Sequence, residues 1–192
     1  EEFTPPQLAT SIWSFAVTDQ PSPTLFDSPA FADYMARHKW SGDKELVQIH
    51  QWQLWCEERR MACRTAVPGA LLERCLAAFK TAETAPSRLQ RQVAESVERL
   101  PDAGRYEVRQ EVYTSAGYSL DIVVVFRGIE VAIEVDGPSH FLGYSEQPTG
   151  GTLLKRRQLS HLGWKVLPVP YWEYEGSSDQ EEYLYKRLSS LI

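Results

Sequence analysis

Two apolar runs, Ser119–Phe126 (SLDIVVVF) and Ile129–Asp136 (IEVAIEVD), are separated only by Arg127 and Gly128. Runs this rich in β-branched residues, joined by two residues, predict a β-hairpin. A two-residue loop fixes which residues face each other: Phe126 with Ile129, Val124 with Val131, Ile122 with Ile133, and Asp121 with Glu134. Arg is a poor residue for a type I′ turn, and the alternative is a longer loop that shifts this register. In the two-residue register the carboxylates of Asp121 and Glu134 are directly opposed, with Cβ atoms about 4.5–5.5 Å apart. Asp136, two residues beyond Glu134, lies on the same face. Acids so placed call for something positive between them, either a divalent cation held by oxygen ligands or a basic side chain.

The stretch that follows offers basic side chains. From 147 to 172 there is no Asp or Glu, while Lys155, Arg156, Arg157 and Lys165 are all present. Gly137 and Pro138 stop the second strand, a helix is predicted over 152–162, and a further strand over 165–169. Steps of 100° put Lys155 between Leu159 and Leu162, on the side that faces the sheet, and put Arg156 and Arg157 on the opposite side. Cations in a first helical turn oppose the macrodipole, a penalty of roughly a few tenths of a kcal/mol each. Anions there would offset it: the strand acids for Lys155, phosphates for Arg156 and Arg157. A solvated helix face is the other reading of the two arginines. His140, after the Gly-Pro turn, is a candidate acid or base beside the carboxylates, or a hydrogen-bonded turn histidine. Tyr171 and Trp172 flank the last strand, where aromatics beside cations stack nucleobases at about 1–3 kcal/mol each; Trp164 is expected in the core.

Upstream the pattern is helical. Helices are predicted over 5–17, 30–38, 43–61 and 70–80, and another from 86, with Leu89, Val93, Val97 and Leu100 as its stripe. The segment 18–29, rich in Pro, Ser and Asp, reads as a loop. Residues 101–104 end the last of these helices and a strand follows over 106–112. Ser178 and Glu181 fit a capping box that opens a closing helix with Leu184, Leu188 and Leu191 inward. The expected architecture is therefore α/β: a helical, repeat-like segment over 1–84, then an αβββαβα domain with a mixed sheet over 85–192.

Net charge −6 argues against general adhesion to nucleic acid, so any such binding is local. Cys56, Cys63 and Cys75 are odd in number and form no CxxC pair, and they read as buried thiols. No apolar run approaches the ~20 residues of a membrane span. A chain opening at Glu1 reads as part of a longer one whose targeting peptide would lie out of view.

The runs 134–141 (EVDGPSHF) and 149–174 (TGGTLLKRRQLSHLGWKVLPVPYWEY) resemble the RAP domain. The resemblance covers roughly 118–190. Upstream, 5–16 is similar to a helix of octotricopeptide or related repeats, and 45–55 to the linker helices between them. The resemblance implies RNA binding in a mitochondrion or chloroplast, in transcript maturation or stability or within an organellar ribosome. It also implies a restriction-endonuclease-like core of the PD-(D/E)xK type. Carried over, Asp121 and Glu134 take the two acid positions, and they are the metal ligands if Mg²⁺ or Mn²⁺ is bound. Asp136 stands where such nucleases have lysine, which favours binding without cleavage unless Lys155 reaches in from the helix. The contacts expected with RNA are Lys155, Arg156, Arg157, Lys165, Tyr171 and Trp172; the catalytic set, if active, is Asp121, Glu134, Asp136, His140 and Lys155. No cofactor is expected otherwise. A metal-dependent endoribonuclease and a protein-binding module of a ribonucleoprotein assembly are the alternatives.

Overall fold

The computed structural model describes residues 3–81, 86–100 and 107–192. The chain divides into two compact units, Glu1–Glu83 and Thr84–Ile192.

The first unit is helical: α1 (Pro5–Thr18), α2 (Pro23–Phe26), α3 (Pro29–Arg37), α4 (Asp43–Glu58), a 3₁₀ turn at Ala62–Thr65, and α5 (Gly69–Thr81). Helix α4 packs against both α1 and α5. Leu46, Ile49, Trp52 and Cys56, at 3- and 4-residue steps along it, are buried, and so is Trp55. The segment expected to be all loop contains α2. One helical turn is too short to show a period, and tertiary packing holds it instead. Phe26 is buried among Phe15, Phe31, Trp52 and Trp55, with ring centroids 5.3–6.1 Å apart. Asp19 ends α1 in a left-handed conformation, φ 54°, and its carboxylate accepts from Trp55 Nε1 at 2.8 Å and from Arg59.

The second unit runs α6 (Arg88–Glu98), β1 (Val108–Tyr113), β2 (Ser119–Phe126), β3 (Ile129–Asp136), α7 (Gly150–His161), β4 (Lys165–Pro170), α8 (Tyr171–Gly176) and α9 (Gln180–Leu191). Among the described residues the strands form one sheet in the order β1-β2-β3-β4. The first two pairings are antiparallel, and β3 pairs with β4 in parallel across α7. The α/β class and mixed sheet agree with expectation; the predicted stop at 101–104 and the start of the strand at Tyr106 lie outside the described residues. The helix start read at Ser178 is corrected. Asp179 is the cap, accepting from Glu182 N at 2.8 Å, because a carboxylate caps as well as a hydroxyl. Helix α8 was hidden behind the aromatic run, and packing of Tyr174 into the core fixes it.

The hairpin keeps the two-residue register from Phe126↔Ile129 to Ile122↔Ile133. Arg127 and Gly128 both take positive φ, 50° and 81°, as a type I′ turn demands. Arg127 tolerates that strain because its guanidinium lies over Phe126 and Tyr185, 5.1 and 5.9 Å from the ring centroids, and donates to Tyr185 and Ser189. Gly128→Ala should cost about 1 kcal/mol in urea unfolding, all of it conformational, because an added Cβ meets nothing within 4 Å.

Past Ile122 the ladder changes. Asp121 does not pair with Glu134 through the backbone; its Oδ2 accepts instead from Val135 N at 2.7 Å. On the other side of β2, Glu111 adopts φ 51° and the β1 ladder skips it. Helices α6 and α9 cover the sheet face that carries Ile122, Val124, Phe126, Val131, Ile133, Leu167 and Val169. The opposite face carries Asp121, Glu134 and Asp136, and α7 sends Lys155 and Arg156 onto it. No helix among the described residues is long and apolar enough to cross a membrane.

Candidate functional site

Glu134 and Asp136 are alternate residues of β3, so both point to the α7 face, and both are buried, at 4% and 2% exposure. Helix α7 starts after Thr149, whose hydroxyl accepts from Thr152 N at 3.3 Å. One turn later Lys155 places Nζ 2.6 Å from Glu134 Oε2. Arg156 donates to Asp136 Oδ2, and His140 Nδ1 lies 3.0 Å from Asp136 Oδ1. The turn that carries His140 is itself fastened to the helix. The His140 carbonyl accepts from Thr149 N at 2.8 Å and from Thr152 Oγ1 at 3.1 Å. Among the described residues Glu134 Oε1 and Arg156 Nε, both buried, find no hydrogen-bond partner.

Burial pushes Glu134 up to about 7, with Lys155 opposing the rise and Asp121 adding to it. Burial also raises Asp121, partly offset by Lys155 and by the Val135 amide. His140 is raised chiefly by its hydrogen bond to Asp136, which favours the imidazolium. The sheet face therefore holds carboxylates that the low-polarity interior resists charging, matched by cations from α7 and the turn.

Lys155 lies on the sheet-facing side, as its helical position required. Arg156 does not lie on the exposed side. Its long stem reaches back to the buried Asp136 carboxylate, a contact that angular position alone does not reveal. Leu162, used to locate the inner face, is exposed; the buried residues of α7 are Leu154, Gln158 and Leu159. Arg157 is half-buried and Lys165 is exposed at the start of β4. Tyr171 and Trp172 are half-buried and pack with Phe141, the Phe141–Trp172 centroids 4.3 Å apart and Tyr171–Trp172 5.1 Å. Two residues of the cluster gave no signal in the sequence. Glu111 accepts from Gln90 Nε2 at 2.7 Å and from Ser119 Oγ at 2.8 Å, while Gln90 Nε2 also reaches the Asp121 carbonyl at 3.1 Å.

Among the described residues no three His, Cys, Asp or Glu side chains are placed to hold a metal ion. Lys155 occupies one oxygen of Glu134, and the Val135 amide one oxygen of Asp121. The ordered elements on this face are an acidic strand, a fastened Gly-Pro-Ser-His turn, a helix whose cations return to the strand, and a parallel strand beside it. Residues 133–187 match the RAP domain family model. The RAP match thus runs from Ile133 on β3 into α9, a shorter span than the resemblance suggested. A RAP domain-containing chloroplastic protein of Oryza sativa subsp. japonica is 39% identical over 79 residues, which cover 40% of this chain and 12% of that protein. The chain thus matches about an eighth of the length of that relative.

Proposed function

We propose that the second unit binds RNA in an organelle. The observation that carries this reading is the RAP match over 133–187, which takes in the only long stretch of the unit without an acid and with four cations. The chloroplastic relative favours a chloroplast. Within that reading the cations divide into two sets. Lys155 and Arg156 build the domain by neutralising Glu134 and Asp136. The half-buried Arg157 and the exposed Lys165 are assigned as the phosphate contacts, and the half-buried Tyr171 and Trp172, past the other end of β4, as base-stacking residues. The helical unit would extend the contact along single-stranded RNA, in transcript maturation or stability or in an organellar ribosome.

Arg157→Ala combined with Lys165→Ala tests this. Each phosphate contact on a single strand contributes about 0.7 to the slope of log affinity against log salt, so the double variant should lower that slope by about 1.4. Fluorescence anisotropy of a labelled single-stranded RNA across about 50–200 mM salt reads it. An unchanged affinity and slope would reject the assignment and favour a protein-binding module. RNA should survive incubation with Mg²⁺. Cleavage that is lost in Asp121→Asn would restore the endoribonuclease reading.

A further inference from the structure

In the first unit, Cys56 near the end of α4 and Cys63 in the turn Ala62–Thr65 hold their sulfurs 3.5 Å apart. Both thiols are buried, at 0% and 4% exposure. The backbone brings them together: the Cys56 carbonyl accepts from Met61 N at 2.9 Å, folding the chain back over the helix end. We propose that Cys56 and Cys63 form a reversible dithiol–disulfide site, closed by peroxide and reopened by a dithiol reductant.

The geometry needs little change. A disulfide requires the sulfurs to approach by about 1.5 Å, to about 2.05 Å. One partner lies within the last turn of a helix and the other in a single 3₁₀ turn. The two sulfurs are also unequal. The hydrogen bond from Cys56 lowers the Cys63 thiol, while burial and the neighbouring Cys63 raise Cys56. Cys63 is also the more exposed of the two, 4% against 0%, and is assigned as the attacking thiolate, with Cys56 the resolving thiol. Cys63 attacks one oxygen of hydrogen peroxide; the O–O bond breaks, hydroxide leaves and Cys63 becomes a sulfenic acid. The Cys56 sulfur then attacks the Cys63 sulfur; the S–O bond breaks, and hydroxide leaves with the Cys56 proton as water. Two thiols have lost two electrons, and one peroxide has become two waters. Cys75 is buried elsewhere, its thiol pushed up to about 12 by burial, and stays reduced.

The test treats the folded full chain with hydrogen peroxide, then alkylates it in denaturant, digests it and reads the peptides by mass spectrometry. The expected result is a Cys56–Cys63 linked species, Cys75 alkylated, and full alkylation of all three after dithiothreitol. In Cys56→Ser, dimedone should trap a sulfenic acid at Cys63. If that variant does not fold, the wild-type peptide map decides alone. The proposal is overturned if Cys56 and Cys63 remain alkylatable after peroxide, if Cys63 proceeds to sulfinic acid without a link, or if the link involves Cys75. The site lies outside the RAP match, so this outcome is independent of RNA binding.

Discussion

Arg156→Ala should lower the unfolding free energy of the second unit by about 3 kcal/mol, the range for removing one partner of a buried ion pair. Asp136 is 2% exposed, and without the arginine it keeps His140, 3.0 Å away. The loss comes mostly from leaving a carboxylate buried and under-matched, and less from the lost attraction. That origin makes a second expectation. Asp136→Asn in the Arg156→Ala background should recover much of the loss, since the charge left behind is gone. Arg156→Lys should fall between, because lysine carries the charge without the planar fork. Urea unfolding followed by a probe in the second unit reads all three. A loss below about 1 kcal/mol for Arg156→Ala would place the pair among solvated surface bridges.

The second large effect is on pH dependence. Glu134 rises from an ordinary 4.5 to about 7 in the folded protein. The folded state therefore holds a proton that the unfolded state has released, and stability falls as pH rises from about 4.5 through 7. At 1.36 kcal/mol per unit the fall is about 3 kcal/mol. Asp121, raised by burial, acts in the same direction from the carboxylate range upward. So does His140: its stabilisation is present below its ordinary 6.5 and is lost as pH climbs through its raised folded value. The second unit should be more resistant to urea near pH 5 than near pH 8. Glu134→Gln should flatten that difference by removing its largest part, whatever it does to absolute stability. A wild-type profile level between those pH values, or a variant with the same fall, would contradict the assignment.

The sequence made most of the fold legible because the strong signals were local. The β2–β3 hairpin, its register and its left-handed loop follow from alternation and spacing between Ser119 and Asp136. Lys155 could be aimed at the sheet because helical periodicity is a local property. What remained hidden depended on reach and on distant partners. Arg156 could not be assigned from its angle on α7, since a long stem answers to a buried charge and not to its own Cα direction. Glu111 and Gln90 join the acid cluster from separate elements, and no spacing rule connects them to Asp121. Tyr171 and Trp172 pack with Phe141, a contact from a separate element that no local spacing announces.

The outermost strand of the sheet has a consequence for self-association. β4 is an edge strand, and Pro168 and Pro170 sit at alternate positions in it. A proline within a ladder must turn its nitrogen away from the paired strand, so both face the open side and offer no donor there. The outward carbonyl of Pro168 is also taken, by Arg187 Nη2 at 3.0 Å. At the other edge, Glu111's left-handed backbone interrupts β1, and Arg109 and Glu111 place charges along it. Among the described residues neither rim offers an unbroken row of donors and acceptors, the feature on which another extended chain zips in amyloid-like growth.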